Sequence, residues 1–340
     1  MVSVRGGGAS WVPETAVVQA PMAGGASRPE LAVAVAEAGA LGFLAAGYKT
    51  AAAMRDEIER TRAATSRPFG VNVFMPSRDA VDRAAFDAYA ERLAPEAERL
   101  GVGLGTPGDR ADDWDAKIED LLADPPAIVS FTFGCPDEAL IREFRRRGVV
   151  VIVTVTSVAE ARAAGAADGL CVQGVEAGAH QGSWTNTDGG TPLRELLPAV
   201  REVTAQPLIA AGGLGTAADV AEVLALGADA AQFGTAFLRC PESGASAVHK
   251  AALADPRFTE TALTRAFSGR PARGLVNRFL AEHSAHAPAA YPDVHYLTTP
   301  LRRAAAAQGA ADALHLWAGT SYRLASTAPA AEIVAALAKG

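Results

Sequence analysis

Leu208-Ile209-Ala210-Ala211-Gly212-Gly213-Leu214-Gly215 and, one helix-forming stretch later, Ala230-Ala231-Gln232-Phe233-Gly234-Thr235 are two short runs of small and apolar residues that stop at glycine. Each reads as a buried strand followed by a tight turn, and residues 217–226 between them carry apolar side chains at helical spacing. Strand, turn, helix, strand is the unit of a parallel sheet, because parallel strands need a crossover to connect them. The same unit recurs toward the N-terminus. Further strands are predicted at 17–20, 42–46, 69–74, 127–131, 149–155 and 169–173, and helices at 29–38, 50–64, 78–100, 138–147 and 158–164. The Gly- and Asp-rich stretch between 100 and 127 is expected to be irregular.

Eight such repeats within about 240 residues match a closed (β/α)8 TIM barrel of the α/β class. A doubly wound open sheet would place a G-x-G-x-x-G turn after its first strand. Here that strand is followed by Pro21-Met22-Ala23-Gly24-Gly25, which lacks the spacing. Past the eighth strand the repeat breaks. Residues 241–299 are read as a smaller, mostly helical cap or substrate domain inserted near the C-terminus. An alanine-rich helix at 301–314 returns to the barrel and a last helix covers 328–338. The barrel domain is therefore residues 1–240 with 300–340.

A chain of 340 residues, 49% of them hydrophobic, can bury a large core. The net charge of −7 without a basic patch argues against a nucleic-acid partner. Cys135, Cys171 and Cys240 are odd in number and far apart, which fits reduced thiols rather than disulfides or a zinc site. Residues 1–10 lack the apolar core of a signal peptide, and no apolar stretch reaches membrane-spanning length. A soluble, cytoplasmic protein is expected, with alanine-rich helices that allow a homodimer.

Barrel active sites lie at the C-terminal ends of the strands. Glycines there let backbone N–H groups approach a phosphate, and a helix N-terminus following them adds a favourable dipole. Gly212 and Gly213 after the seventh strand, with Gly234 and Thr235 after the eighth, point to a phosphate-bearing ligand. After the sixth strand, Gln173-Gly174-Val175-Glu176-Ala177-Gly178-Ala179-His180-Gln181-Gly182 sets one histidine in a glycine-rich loop at that rim. Neutral imidazole accepts a proton from carbon, and its protonated form stabilises an anion. Glu176 is a candidate to orient it or an exposed loop acid. His249, His283, His286, His295 and His315 show no metal-ligand spacing, so no metal is expected. Cys135 is taken as a pocket liner. Asn72, Gln19, Gln173 and Gln232 are amides within strands that need hydrogen-bond partners. They suit either neighbouring backbone or a heterocycle carrying both donors and acceptors.

In this order and spacing, several motifs form a pattern. They are Gln19-Ala20-Pro21-Met22-Ala23-Gly24, Gly70-Val71-Asn72-Val73-Phe74, Ser130-Phe131-Thr132-Phe133-Gly134, the His180 loop, Ala210-Ala211-Gly212-Gly213 and Gln232-Phe233-Gly234-Thr235. Phe267-Ser268-Gly269-Arg270-Pro271-Ala272-Arg273-Gly274-Leu275, Leu297-Thr298-Thr299-Pro300-Leu301 and Leu316-Trp317-Ala318-Gly319 complete it. From about residue 17 to 324 the chain resembles the nitronate monooxygenase family, formerly called 2-nitropropane dioxygenases.

The resemblance implies bound FMN and no metal. Pro21, Met22, Asn72 and Gln173 would line its ring, and Gly212, Gly213, Gly234 and Thr235 would hold its phosphate. Gln232 and Gly178 would also border the cofactor. It implies His180 as the active-site acid/base, with nitronates or nitroalkanes and O2 as substrates and carbonyl compounds and nitrite as products. The chain departs from the family pattern at Ala179 (often glycine), Gln181 (often basic), Thr132 (often histidine) and Thr320 (often glutamine), which leaves substrate identity open. An FMN-dependent NAD(P)H:quinone or enoyl-thioester reductase is the alternative enzyme, along with a related flavin oxidase recruited to a biosynthetic substrate. A flavin-free sugar-phosphate barrel or a non-catalytic binding barrel would share only part of these features.

Overall fold

The computed structural model describes residues 11–339, so residues 1–10, which hold the signal-peptide question, lie outside the described residues. The elements run β1 Val17–Gln19, α1 Pro29–Glu37, β2 Phe43–Ala45, α2 Ala51–Ala64, β3 Gly70–Phe74, α3 Arg83–Leu100, α4 Trp114–Ala123, β4 Ile128–Thr132, α5 Glu138–Arg146, β5 Val150–Val155, α6 Val158–Ala163 and β6 Gly169–Gln173. They continue β7 Ala179–His180, α7 Leu193–Arg201, β8 Leu208–Ala211, α8 Ala217–Ala225, β9 Ala230–Phe233, α9 Ala247–Ala252, β10 Thr261–Thr264, β11 Ala272–Leu275, α10 Arg278–His283, α11 Asp293–Ala307 and α12 Ala330–Leu337.

Eight strands pair in parallel in the order β1-β9-β8-β6-β5-β4-β3-β2. The two ends of that sheet meet through a parallel bridge between Val18 and Leu41. Gln19 N–H donates to Leu41 O at 2.9 Å and Leu41 N–H to Val17 O at 3.1 Å, so the sheet closes into a barrel. Inside it, Val18, Leu41, Phe43, Ile128, Ile152, Cys171, Ile209 and Ala230 pack as one buried cluster. Such a filled interior leaves the C-terminal mouth as the place for a site.

Several expectations are corrected. Two helices were not foreseen. Helix α4 lies in the stretch read as irregular, and it follows Asp112 and Asp113, both at positive φ, with no side-chain cap to announce it. Helix α7 buries Leu193, Leu196, Leu197 and Val200 at helical spacing, but begins at Pro192 beside the glycine-rich loop. Helix α3 begins at Arg83 rather than 78, because the Asp82 side chain caps it by accepting from Ala85 N–H.

The region expected to be mostly helical also holds an antiparallel hairpin, β10–β11, onto which β7 adds as a third strand. Thr261–Thr264 is short, and Ala272–Leu275 is interrupted by Gly274, so neither announces itself in sequence. Helix α11 starts at Asp293 and crosses the 299/300 boundary, and the expected helix at 301–314 ends at Ala307. Among the described residues no helix is long and apolar enough to cross a membrane.

Candidate active site

A cavity of about 760 Å³ opens at the C-terminal ends of the strands, within the roughly 300–1,000 Å³ usual for ligand sites. Pro21, Met22, Asn72, Gln173, Gly178, His180, Gly212, Gly213, Gln232, Gly234 and Thr235 all line it. Sequence reasoning drew these from five segments, and the barrel brings them to one space.

The end nearest β8 and β9 is walled by backbone. Gly212 and Gly213 have φ of +117° and +71°, which side chains rarely adopt. A Cβ on Gly213 would fall 2.9 Å from Glu176 Cβ. A Cβ on Gly234 would meet nothing closer than Ala20 at 3.5 Å, so a larger side chain there would run into space bounded by Ala20 and Met22. Among the described residues, the N–H groups of Gly213, Gly234 and Thr235 have no acceptor. Thr235 Oγ1 accepts from Gly319 N–H at 3.0 Å and ties this wall to the C-terminal segment. Unpaired N–H groups on turns that line one cavity fit a phosphate.

The amides divide by role. Gln19 is structural, since its Oε1 accepts from Phe43 N–H at 3.0 Å and its Nε2 donates to Ser27 Oγ at 2.8 Å. Gln173 is spent on the histidine loop, accepting from Gly182 N–H at 2.7 Å and donating to His180 O at 3.4 Å. Asn72 Nδ2 donates to Ser130 Oγ at 2.9 Å and Thr132 Oγ1 at 3.0 Å, which leaves its Oδ1 for a ligand donor. Thr132, where the family often has histidine, thereby orients Asn72.

His180 is fixed by its pairing in β7, opposite Ala272 of β11. Gly178 permits that loop geometry, because a Cβ there would lie 2.5 Å from Gly319 N. The imidazole is ringed by Phe133, Tyr291 and Trp317 at centroid distances of 5.9, 5.8 and 5.8 Å. Burial pushes its pKa down to about 3, with the Arg270 and Arg302 guanidinium groups adding to the shift, so the ring is neutral. A neutral base is available, whereas the protonated, anion-stabilising form is not the resting state.

Other expectations are revised by the geometry. The Glu176 carboxylate accepts from Leu193 N–H at 3.0 Å, capping α7, and does not orient His180. The thiol that lines the cavity belongs to Cys171, not Cys135. Burial raises Cys135 to about 11, so it is no nucleophile. Gln181 is buried and donates to Ala177 O at 3.2 Å, so the missing basic residue does not face the cavity.

Sequence reasoning missed several side chains that line the same cavity. Tyr48 stacks on His295 at 3.8 Å, and His249, His295, His315 and Arg302 also line the cavity. Tyr48 is held at φ 64°, its N–H donating to Asp112 Oδ1 at 2.9 Å. Such strain at a rim is a mark of function. Arg302 donates to His295 O at 2.8 Å and to Thr299 Oγ1 at 2.7 Å, yet no carboxylate pairs with it among the described residues. The four cavity histidines form no metal cluster. The one group with ligand-like spacing among the described residues, Glu96 with Glu282 and His283, lies elsewhere, and its acids are paired with Arg278.

The family model for nitronate monooxygenase matches residues 11–340. The chain belongs to the nitronate monooxygenase family. It is 36% identical over 331 residues to a probable nitronate monooxygenase of Staphylococcus aureus, covering 94% of this chain and 92% of that protein. A solved structure of nitroalkane oxidase from Streptomyces ansochromogenes superposes with a TM-score of 0.94 at 54% identity, covering 96% of each chain. FabK from Thermotoga maritima has a TM-score of 0.71 at 26% identity, covering 96% of this chain and 92% of that one. Family membership and the nitroalkane oxidase likeness make the chain an oxidoreductase acting on nitronates or nitroalkanes.

Proposed function

We propose that the chain uses bound FMN and O2 to oxidise alkyl nitronates, and neutral nitroalkanes after deprotonation, to carbonyl compounds and nitrite, with His180 as the base. The observation that carries this reading is a neutral imidazole facing the same cavity as a glycine wall with unpaired N–H groups. Gly212, Gly213, Gly234 and Thr235 hold the phosphate. Pro21, Met22 and Asn72 border the ring system, with Gln173, Gly178 and Gln232 close by. FMN, when bound, supplies electron transfer between nitronate and O2. His180 takes the α-proton of a neutral nitroalkane, and the unpaired Arg302 guanidinium stabilises the anion that results. The aromatic ring around His180 excludes water from that step. The three cysteines are all unpaired, which fits a reducing, cytoplasmic setting.

The test is an anaerobic absorbance spectrum of the purified protein before and after ethylnitronate and, separately, NADH. A flavin spectrum that responds to ethylnitronate and not to NADH is expected. Bleaching by NADH alone would favour the reductase reading, to which the FabK likeness lends a fold, and a colourless protein would remove both. In parallel, His180→Ala should keep the flavin and lower nitroethane turnover by roughly 10²–10⁴. Unchanged turnover would overturn the assignment of the base.

A further inference from the structure

His180 Nε2 lies 2.8 Å from Ser268 Oγ. The Ser268 hydroxyl has one proton and two possible acceptors, His180 Nε2 and Arg270 O, the latter at 3.2 Å. Arg270 and Ser268 are each 2% exposed. Among the described residues, Arg270 O has no partner but this hydroxyl. Leaving a buried carbonyl unpaired is costly, so the hydroxyl proton belongs to Arg270 O. Ser268 Oγ is then the acceptor, and His180 Nε2 must carry a hydrogen to donate to it.

We propose that Ser268 is a positioning residue that locks His180 in its Nε2–H tautomer and so makes Nδ1 the atom that takes the substrate proton. The proposal rests on the reading of His180 as base and names its reacting atom. Nδ1 has no protein partner and is not sealed off, which leaves it to the cavity that His180 lines. The opposite tautomer would present an N–H to substrate and could accept nothing from it.

In the step, the substrate Cα–H bond breaks and an N–H bond forms at Nδ1. The electron pair stays on the substrate as the nitronate, so no electron leaves it. The imidazolium keeps its Nε2–H bond to Ser268 Oγ, and the hydrogen bonds need no rearrangement between the two protonation states. The backbone holds Ser268 for this task. Gly269 has φ +79°, and a Cβ there would come within 2.6 Å of Ala290 C, so the turn sits against the 290–291 segment. Ser268 N–H donates to Arg265 O at 3.1 Å and Ala290 N–H to Gly269 O at 3.1 Å.

The experiment is a two-bond ¹H–¹⁵N correlation spectrum of ¹⁵N-histidine-labelled, flavin-loaded enzyme, with the His180 signals assigned by their loss in His180→Ala. The wild type should show a hydrogen on Nε2 and a bare Nδ1. A hydrogen on Nδ1 would overturn the proposal, and this outcome needs no Ser268 variant to fold. Ser268→Ala should mix the tautomers and lower nitroethane turnover about tenfold, with a smaller loss on ethylnitronate, which needs no deprotonation. Ser268→Thr, which keeps the hydroxyl, should restore both. Equal losses on the two substrates with the tautomer unchanged would also overturn it. If instead His180→Ala kept nitroethane turnover, the base reading would fail while the tautomer result stood.

Discussion

At one end of the cavity the wall is backbone, with Gly212, Gly213, Gly234 and Thr235 closing on a small space. At the other end it is side chains, with the rings of Tyr48, Phe133, His180, His295, His315 and Trp317 close to one another and Arg302 bonded to His295 O. The first wall comes from the turns after β8 and β9. The second draws on the ends of β2 and β4, the β7 loop, α11 and the C-terminal segment. A backbone wall recognises charge and shape in a way few substitutions can tune, which suits a constant part such as a phosphate. A side-chain wall can change residue by residue, which suits the part of a ligand that differs between family members. The departures from the family pattern follow this division in part. Thr132 and Ala179 line the cavity, Gln181 is turned away from it, and Thr320 stands against the backbone wall, its Oγ1 3.2 Å from where a Cβ on Gly213 would lie.

The largest expected effect breaks the backbone wall. Gly213→Val puts a β-branched residue at φ +71°, with its Cβ against Glu176. Strain of about 1–3 kcal/mol, with the side chain pressing the turn away from Glu176, should displace the Gly213 N–H and weaken flavin retention by about tenfold. Flavin content after gel filtration measures it, and full occupancy would argue that this wall holds no phosphate.

The two walls were unequally legible. Ala211-Gly212-Gly213 and Phe233-Gly234-Thr235 could be read because each is contiguous and follows a strand, so barrel geometry alone converts position into proximity. His180 was legible for the same reason. Tyr48, His295 and Arg302 were not, because nothing local distinguishes them. Tyr48 acquires its place through Asp112, sixty-four residues away, and His295 and Arg302 through a helix whose start was misplaced. The hairpin that positions His180 was hidden by the brevity of its strands. The one signal available was the resemblance motif around Ser268 and Arg270, which gains a role only through the fold that sets it against His180. Histidine spacing along the chain says nothing about four histidines that different segments deliver to one cavity.

Those histidines sharpen the contrast between a backbone wall that seeks charge and a side-chain wall that holds its imidazole rings neutral. Burial lowers His180 to about 3 and His249 to about 4. Burial, with Arg302 adding to it, lowers His295 and His315 well below the usual value. In the unfolded chain each titrates near 6.5. As pH falls below about 6.5 the unfolded chain takes up protons that the native protein refuses, so stability declines. Each histidine adds a slope of up to about 1.4 kcal/mol per pH unit until its folded pKa is reached. Denaturant unfolding at pH 7, 6 and 5 should show a loss steeper than one proton accounts for. His295→Gln should flatten the slope by about one proton, and a flat profile in the wild type would mean these rings are not held neutral.

The smallest expected effect lies where the walls meet. Ala179 stands where the family often has glycine, and its φ is 61°. A left-handed non-glycine residue costs about 1–2 kcal/mol, while glycine in its place loses about 0.4–1 kcal/mol through the freer unfolded chain. Ala179→Gly should therefore stabilise the protein by about 1 kcal/mol or less. The strain is tolerated because β7 is clamped on several sides. Gln181 N–H donates to Pro271 O at 2.9 Å, Arg273 Nε to Val175 O at 2.9 Å, and the Gln173 amide bonds both Gly182 N–H and His180 O. If the clamp rather than residue 179 sets the histidine, the variant should unfold at higher denaturant while its nitroethane turnover stays within about twofold. A stabilised protein with turnover changed well beyond that would show instead that the Ala179 methyl group shapes the substrate side of the cavity, and that the family's glycine and this chain's alanine select different substrates.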